Sequence, residues 1–255
     1  AHAPFLHRFF DDDPETYGQQ FRDYVADTGI TTTEMMREAS APNIETAATP
    51  FGFRMRTTRD YRQQFRHVRV SNCIFPNAIT IAMSREMTIT QWHVPINETT
   101  SYWYAMFVSF GEPVDADQMR GQRISQVTLP LYEPVTGRHN QWGYNPEEQQ
   151  RATFTGMGTD INVHDQWAVE SQGPLFDRTN EHLGPTDIGI RTHRRMFLAA
   201  ANQPDPTTLI GRAHDLAGPA AIDAVTTGQD FDAAWQDLDR VRREGSSWAT
   251  PIEYS

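Results

Sequence analysis

His2 and His7, five positions apart, and Asp165, inside Val163-His164-Asp165-Gln166-Trp167, are the residues of this 255-residue chain whose types could act together at one reactive centre. Two imidazoles and one carboxylate are the protein share of a facial iron(II) site that leaves open positions for dioxygen. Zinc accepts the same donors together with a water. A regular helix would not bring the histidine pair together, because five residues at about 100° each leave them roughly 140° apart around the axis. Pro4 lies between them, and proline interrupts the helical ladder by removing a donor and crowding the preceding turn. Residues 1–7 are therefore expected as a distorted helix whose two rings converge.

The elements that must position these groups follow from periodicity. From Asp160 a helical period places Ile161, Asp165, Ala168 and Val169 on related faces until Gly173-Pro174 ends the run. If Asp165 faces a metal there, His164 is rotated by about 100° and is expected to point elsewhere, as a structural or supporting group. Asp11-Asp12-Asp13-Pro14 reads as a cap or turn leading into another helix. Residues 43–60 are expected as loop and edge structure. Between Gln64 and Phe110 the period is two: Val68, Val70 and Asn72 alternate with His67, Arg69 and Ser71, and Thr88, Thr90 and Trp92 with Ile89 and Gln91. Asn77, Ser84-Arg85-Glu86 and Asn97-Glu98-Thr99 are the turn signals between these runs. Successive strands with short turns make an antiparallel sheet. Residues 111–158, rich in Gly, Pro, Gln and Asn, are expected as an irregular cover. Thr186-Asp187 predicts a cap for a helix running through Met196 to Ala201, which Pro204 and Pro206 stop, and residues 231–244 predict a last helix. The expected whole is one α+β domain over residues 1–255, an antiparallel β-sheet wrapped by helices.

Composition narrows the function classes. The formal charge of −11 argues against nucleic acid, whose phosphates demand a basic surface, and against anionic membranes. No run approaches the roughly 20 apolar residues that span a bilayer. Cys73 is the one cysteine, which excludes an internal disulfide and suits the reducing cytoplasm, the expected location. All 22 basic residues are arginine, so lysine Schiff-base chemistry and lysine-bearing phosphate loops are excluded. Codon usage accounts for that bias, although the guanidinium fork also suits carboxylate ligands. Asp177-Arg178 and Glu181-His182 are expected to cap helices and hold loops rather than to catalyse. His67, His93, His139, His193 and His214 show no ligand-like spacing.

The segment Ala1-His2-Ala3-Pro4-Phe5-Leu6-His7-Arg8 resembles the iron-binding segment of Rieske non-haem iron oxygenases, the terminal components of aromatic-ring-hydroxylating systems. The run from His164 to Gly184 (HDQWAVESQGPLFDRTNEHLG) is similar to the third-ligand region of the phthalate-dioxygenase-like branch, and Trp92-His93-Val94-Pro95-Ile96-Asn97 also resembles that family. The resemblance implies a helix-grip, START-like catalytic domain in which His2, His7 and Asp165 ligate mononuclear Fe(II). It also implies a Rieske [2Fe-2S] cluster, which needs two cysteines and two histidines and is expected in an N-terminal domain outside this chain. The family's acidic residue three positions before the first histidine falls outside it too. Further implications are dioxygen and an aromatic substrate, possibly carboxylated. Apart from the resemblance, Arg69 on its expected strand is a candidate contact for an acidic aromatic substrate, the alternative being an outward-facing strand arginine. Electrons would come from NAD(P)H through a separate reductase or ferredoxin, in a homo-oligomer, a trimer or hexamer. Two other readings stay open: a zinc-dependent hydrolase on the same triad, and a helix-grip ligand-binding protein in which the triad is vestigial.

Overall fold

The alternation read between residues 64 and 110 becomes the centre of a larger antiparallel sheet. The computed structural model describes residues 2–10, 24–25, 30–31, 34–35, 38–205, 221–228, 230–251 and 254. In chain order come the short helix α1 (Ala3–Leu6) and a two-stranded ladder of β1 (Tyr24–Val25) and β2 (Ile30–Thr31). Then follow β3 (Asn43–Thr49), β4 (Gly52–Tyr61), β5 (Phe65–Ile74), β6 (Ala78–Ala82), β7 (Met87–Pro95) and β8 (Ser101–Ser109). Next are α2 (Ala116–Ile124), the ladder β9 (Val127–Thr128) and β10 (Glu133–Pro134), a 3-10 stretch Arg138–Gly143, α3 (Pro146–Arg151) and α4 (Ile161–Glu170). The chain continues through α5 (Ile188–Ala201), β11 (Ile222–Thr226) and α6 (Phe231–Glu244).

These elements form two compact units, residues 1–40 with 113–180, and residues 41–112 with 181–255. The second unit holds the seven-stranded sheet. β3 to β8 follow one another in sequence order, and β5 pairs β4 along its whole length. On its other edge β5 is shared, with β11 along residues 66–70 and β6 along residues 72–74. Directly opposed residues of an antiparallel pair point to the same face. One face therefore carries Val68, Val70, Ile222 and Ala224, which enclose Trp235 of α6 as a buried core. Removing that indole by Trp235→Ala is expected to cost about 3–5 kcal/mol. The opposite face carries Phe53 and Met55, against which Gly189 of α5 is so close that an added Cβ would stand 2.6 Å from the Met55 sulfur. The fold is α+β and helix-grip-like, with helices packed on both faces of an antiparallel sheet.

Three expectations need correction. Residues 43–49 are an edge strand as expected, but 52–61 form an interior strand paired on both sides. Its alternation of Phe53 and Met55 with Arg54 and Arg56 is a strand signal that the arginines obscure. The stretch 111–158 is not an irregular cover throughout, since it contains α2 and α3. Both are polar helices set by caps: Asp115 accepts from Gln118 N, and Asn145 accepts from Glu147 N and Glu148 N, with Pro146 at the first helical position. α5 begins where the sequence placed it, but the Asp187 carboxylate accepts from Gly184 N rather than from α5. Asp11–Pro14 and His214 lie outside the described residues. Among the described residues no helix is long and apolar enough to cross a membrane.

Candidate metal centre

The first unit assembles the histidine segment and α4. α1 is a single turn: the His2 carbonyl accepts from Phe5 N at 2.9 Å and Leu6 N at 2.8 Å. Pro4 sits in its first turn, where the missing N–H leaves no bond unmade, so it opens this turn instead of distorting a longer helix. His2 and His7 thus flank the turn, and their rings lie 5.0 Å apart with planes at 83°. Residues 8–10 then pair with 152–154. Phe154 N donates to Arg8 O and Phe10 N to Ala152 O, both at 2.8 Å, around a bridge between Phe9 and Thr153. This pairing buries Phe9 and Thr153 and leaves His7 only 8% exposed, while His2 remains open to solvent.

Asp165 projects from α4, whose two ends are tied down. At the start, Asp160 accepts from Asn162 N at 3.0 Å, and its other oxygen accepts from Arg123 Nη2 at 2.5 Å. At the end, Glu170 accepts from Trp142 Nε1 at 2.7 Å, and its carbonyl from Arg138 Nη2 at 2.8 Å. Trp142 and Gln141 adopt left-handed backbone conformations, with φ of 54° each, to make this contact. Fixed in this way, Asp165 Oδ1 stands 3.3 Å from His7 Nε2 and 3.5 Å from His2 Nε2.

One ligand atom from each of His2, His7 and Asp165 lies within 4.8 Å of the others. The fit to a metal can be tested on these separations. Donors about 2.1–2.2 Å from one ion, at angles of roughly 90–110°, stand roughly 3.0–3.5 Å apart. The histidine–aspartate separations fall in that range, and the donor set suits iron or zinc.

His164 does point away from the triad's meeting point, yet it is part of the same assembly. It is fully buried, with Nδ1 3.4 Å from His7 Nδ1 and Nε2 donating to the Gly158 carbonyl at 2.9 Å. Burial lowers its pKa below the usual histidine value, against the opposing effect of the Gly158 bond. Nothing in the spacing of the sequence marks Gly158 as its partner. Arg69 belongs to the other unit, on β5, where its guanidinium donates to the Ala82 carbonyl and lies 3.4 Å from Asp223 Oδ2. Asp177 accepts from Thr179 N and Asn180 Nδ2 in a local turn, and Glu181 pairs with Arg194, so both hold structure as expected. A groove of about 330 Å³ is lined by Trp142, Tyr144, Phe154, Met157 and Trp167 among others. Trp167 lies two positions beyond Asp165, roughly 200° around the helix, so its side chain leaves α4 on the side away from the carboxylate.

Comparison with known proteins gives a family and a relative. The family described as LigXa C-terminal domain like matches residues 22–249, a span that includes Asp165 and begins after His7. The phthalate 4,5-dioxygenase oxygenase subunit of Pseudomonas putida is 25% identical over 173 residues, which cover 63% of this chain and 38% of that protein. The chain belongs to the LigXa C-terminal-domain-like family.

Proposed function

We propose that this chain is the oxygen-activating domain of an aromatic-ring oxygenase, with Fe(II) held by His2, His7 and Asp165. The observation that carries the reading is the convergence of three metal-ligating side chains from positions 2, 7 and 165 at separations that suit one ion. The relative's printed activity, a phthalate 4,5-dioxygenase, supports an aromatic and possibly carboxylated substrate. Bound iron would supply a redox centre able to activate dioxygen, since two histidines and one carboxylate leave coordination positions free.

The protein's own part is orientation. The pairing of residues 8–10 with 152–154 holds His7 in a water-poor site, and the two anchored ends of α4 fix the carboxylate against it. His2, which is exposed, leaves the centre open on one side. The electrons belong to a Rieske [2Fe-2S] cluster beyond this chain, fed from NAD(P)H through a reductase or ferredoxin. Cys73, buried in the sheet unit, is the lone thiol and cannot hold such a cluster. In this reading the cluster of one subunit serves the iron of its neighbour in a closed ring, a trimer or stacked pair of trimers.

Single-turnover assays test the reading. The Fe(II)-loaded chain supplied with peroxide and a benzoate or phthalate is expected to release hydroxylated product, and Asp165→Ala to release none. Hydrolysis of an ester by a zinc-loaded chain, with no oxygenation by the iron form, would favour the hydrolase instead.

A further inference from the structure

The Gly158 carbonyl can only accept a hydrogen bond, so the His164 Nε2 it meets at 2.9 Å carries the hydrogen. A neutral imidazole has one N–H, which leaves His164 Nδ1 as a bare acceptor. That nitrogen faces His7 Nδ1 at 3.4 Å, with ring planes 24° apart and centroids separated by 5.6 Å. The centroid distance exceeds the nitrogen distance by 2.2 Å (5.6 − 3.4), which is the two ring radii laid end to end. The two nitrogens therefore point at each other along the line joining the rings, and two bare nitrogens would repel there. A hydrogen on one of them relieves that repulsion, and with the His164 hydrogen on Nε2 the other ring, His7, supplies it.

We infer that His164 is a positioning residue that fixes the hydrogen of His7 on Nδ1, through a relay ending at the Gly158 carbonyl, and so leaves His7 Nε2 bare toward Asp165. The inference rests on the reading of His2, His7 and Asp165 as metal ligands. A ligating histidine ordinarily hands its other N–H to a carboxylate or a carbonyl. Here a second, neutral imidazole stands between the ligand and the carbonyl. Asp165 and His164 are neighbours on α4, rotated by about 100°, and they take the two nitrogens of one ring from its two sides. The far end of the relay is itself fixed. Gly158 has a φ of 78°, where glycine is favoured, and its N–H donates to Glu148 Oε1 at 2.7 Å.

The test uses the full chain with ¹⁵N-labelled imidazoles, loaded with Zn(II) alone and followed by NMR. The expected result is a His7 ring protonated at Nδ1, a His164 ring protonated at Nε2, and a scalar coupling between their Nδ1 atoms across the hydrogen bond. A proton on His164 Nδ1, or zinc bound through His7 Nδ1, would overturn the relay. His164→Phe is expected to abolish the coupling and weaken Zn(II) binding by about 10- to 100-fold. His164→Asn keeps an acceptor toward His7 and is expected to recover most of that loss. Wild-type zinc affinity in folded His164→Phe contradicts the inference, and if that variant does not fold, the wild-type coupling still decides. Unchanged zinc binding in His7→Ala would instead overturn the metal reading itself, an outcome distinct from a failed relay.

Discussion

Among the described residues two clusters combine histidine with aspartate, one in each unit, and they are built in opposite ways. In the sheet unit, His67 of β5 donates from Nε2 to Asp223 Oδ1 at 2.9 Å, while Arg59 Nη1 meets His67 Nδ1 at 3.4 Å and Arg69 Nη2 lies 3.4 Å from Asp223 Oδ2. His67 is fully buried, and burial holds its pKa below the usual histidine value in spite of Asp223. Burial alone would raise the Asp223 carboxyl, but the Arg69 charge and the His67 hydrogen bond outweigh it and hold it below the usual range. Burial, and then the Arg69 charge, lower Arg59 to about 10. At its centre, donor meets acceptor directly between His67 and Asp223. In the other unit, His7 and His2 approach Asp165 no closer than 3.3 Å, and the triad is half open to water. The same residue types make a structural pair when a hydrogen lies between them. In the proposed ligand set, one donor atom of each residue instead lies within 4.8 Å of the others.

The largest expected effect breaks the closed cluster. Asp223→Ala leaves two guanidinium groups and an imidazole buried without their carboxylate, and is expected to cost about 3–5 kcal/mol in urea unfolding. Asp165→Ala, measured in the same way without metal, should change stability by no more than about 0.5 kcal/mol. Similar losses at both positions would erase the contrast.

Metal addition inverts that ranking. Zn(II) at a hundred times its dissociation constant should stabilise the wild-type chain by about 2.7 kcal/mol. Asp165→Ala should abolish the stabilisation, and His67→Gln should retain it. Thermal unfolding with and without metal reads both.

The pH dependence follows from the closed cluster. His67 titrates at its ordinary value, about 6.5, in the unfolded chain and lower in the fold, so the unfolded chain binds the proton more readily. Stability should therefore be complete above about pH 6.5 and decline as pH falls below it. His67→Gln should flatten that decline. Asp223 adds a separate loss in more acid solution: its contribution is present above about pH 4 and disappears as pH falls through its depressed native value. A variant that keeps the full slope near pH 6 would assign it to other groups.

The smallest effect concerns the anchoring of α4. Asp160→Ala removes the cap to Asn162 N and the pair with Arg123, and is expected to cost about 1 kcal/mol. Chemical denaturation checks the size, and a loss in zinc affinity larger than the stability loss would show that the cap also aims Asp165.

How far the molecule was legible in its sequence differs between the units for physical reasons. β5 to β8 announce themselves through strict alternation and Asn- or Ser-marked turns, and α4 through its helical period. β4 was hidden because Arg54 and Arg56 sit on one face and Arg59 is buried on the other, which blurs the hydrophobic signal. α2 and α3 bury almost nothing, so only their caps could have revealed them. At the site, the residue types and the helical placement of Asp165 were readable, while the flanking turn at Pro4 was not. The partnership of His67 with Asp223, 156 positions away, depends on β5–β11 pairing that no local spacing encodes. The bond between Gly158 and His164 spans only six positions, but no residue type there marks the carbonyl as a partner.

Iron stoichiometry tests the central claim most directly. The chain is reconstituted with Fe(II) under anaerobic conditions, desalted and analysed for metal, beside His2→Ala, His7→Ala and Asp165→Ala. The account predicts one iron per wild-type chain, little or none in His7→Ala and Asp165→Ala, and weakened retention in His2→Ala. Iron retained equally by all four proteins, or by none of them, would contradict it.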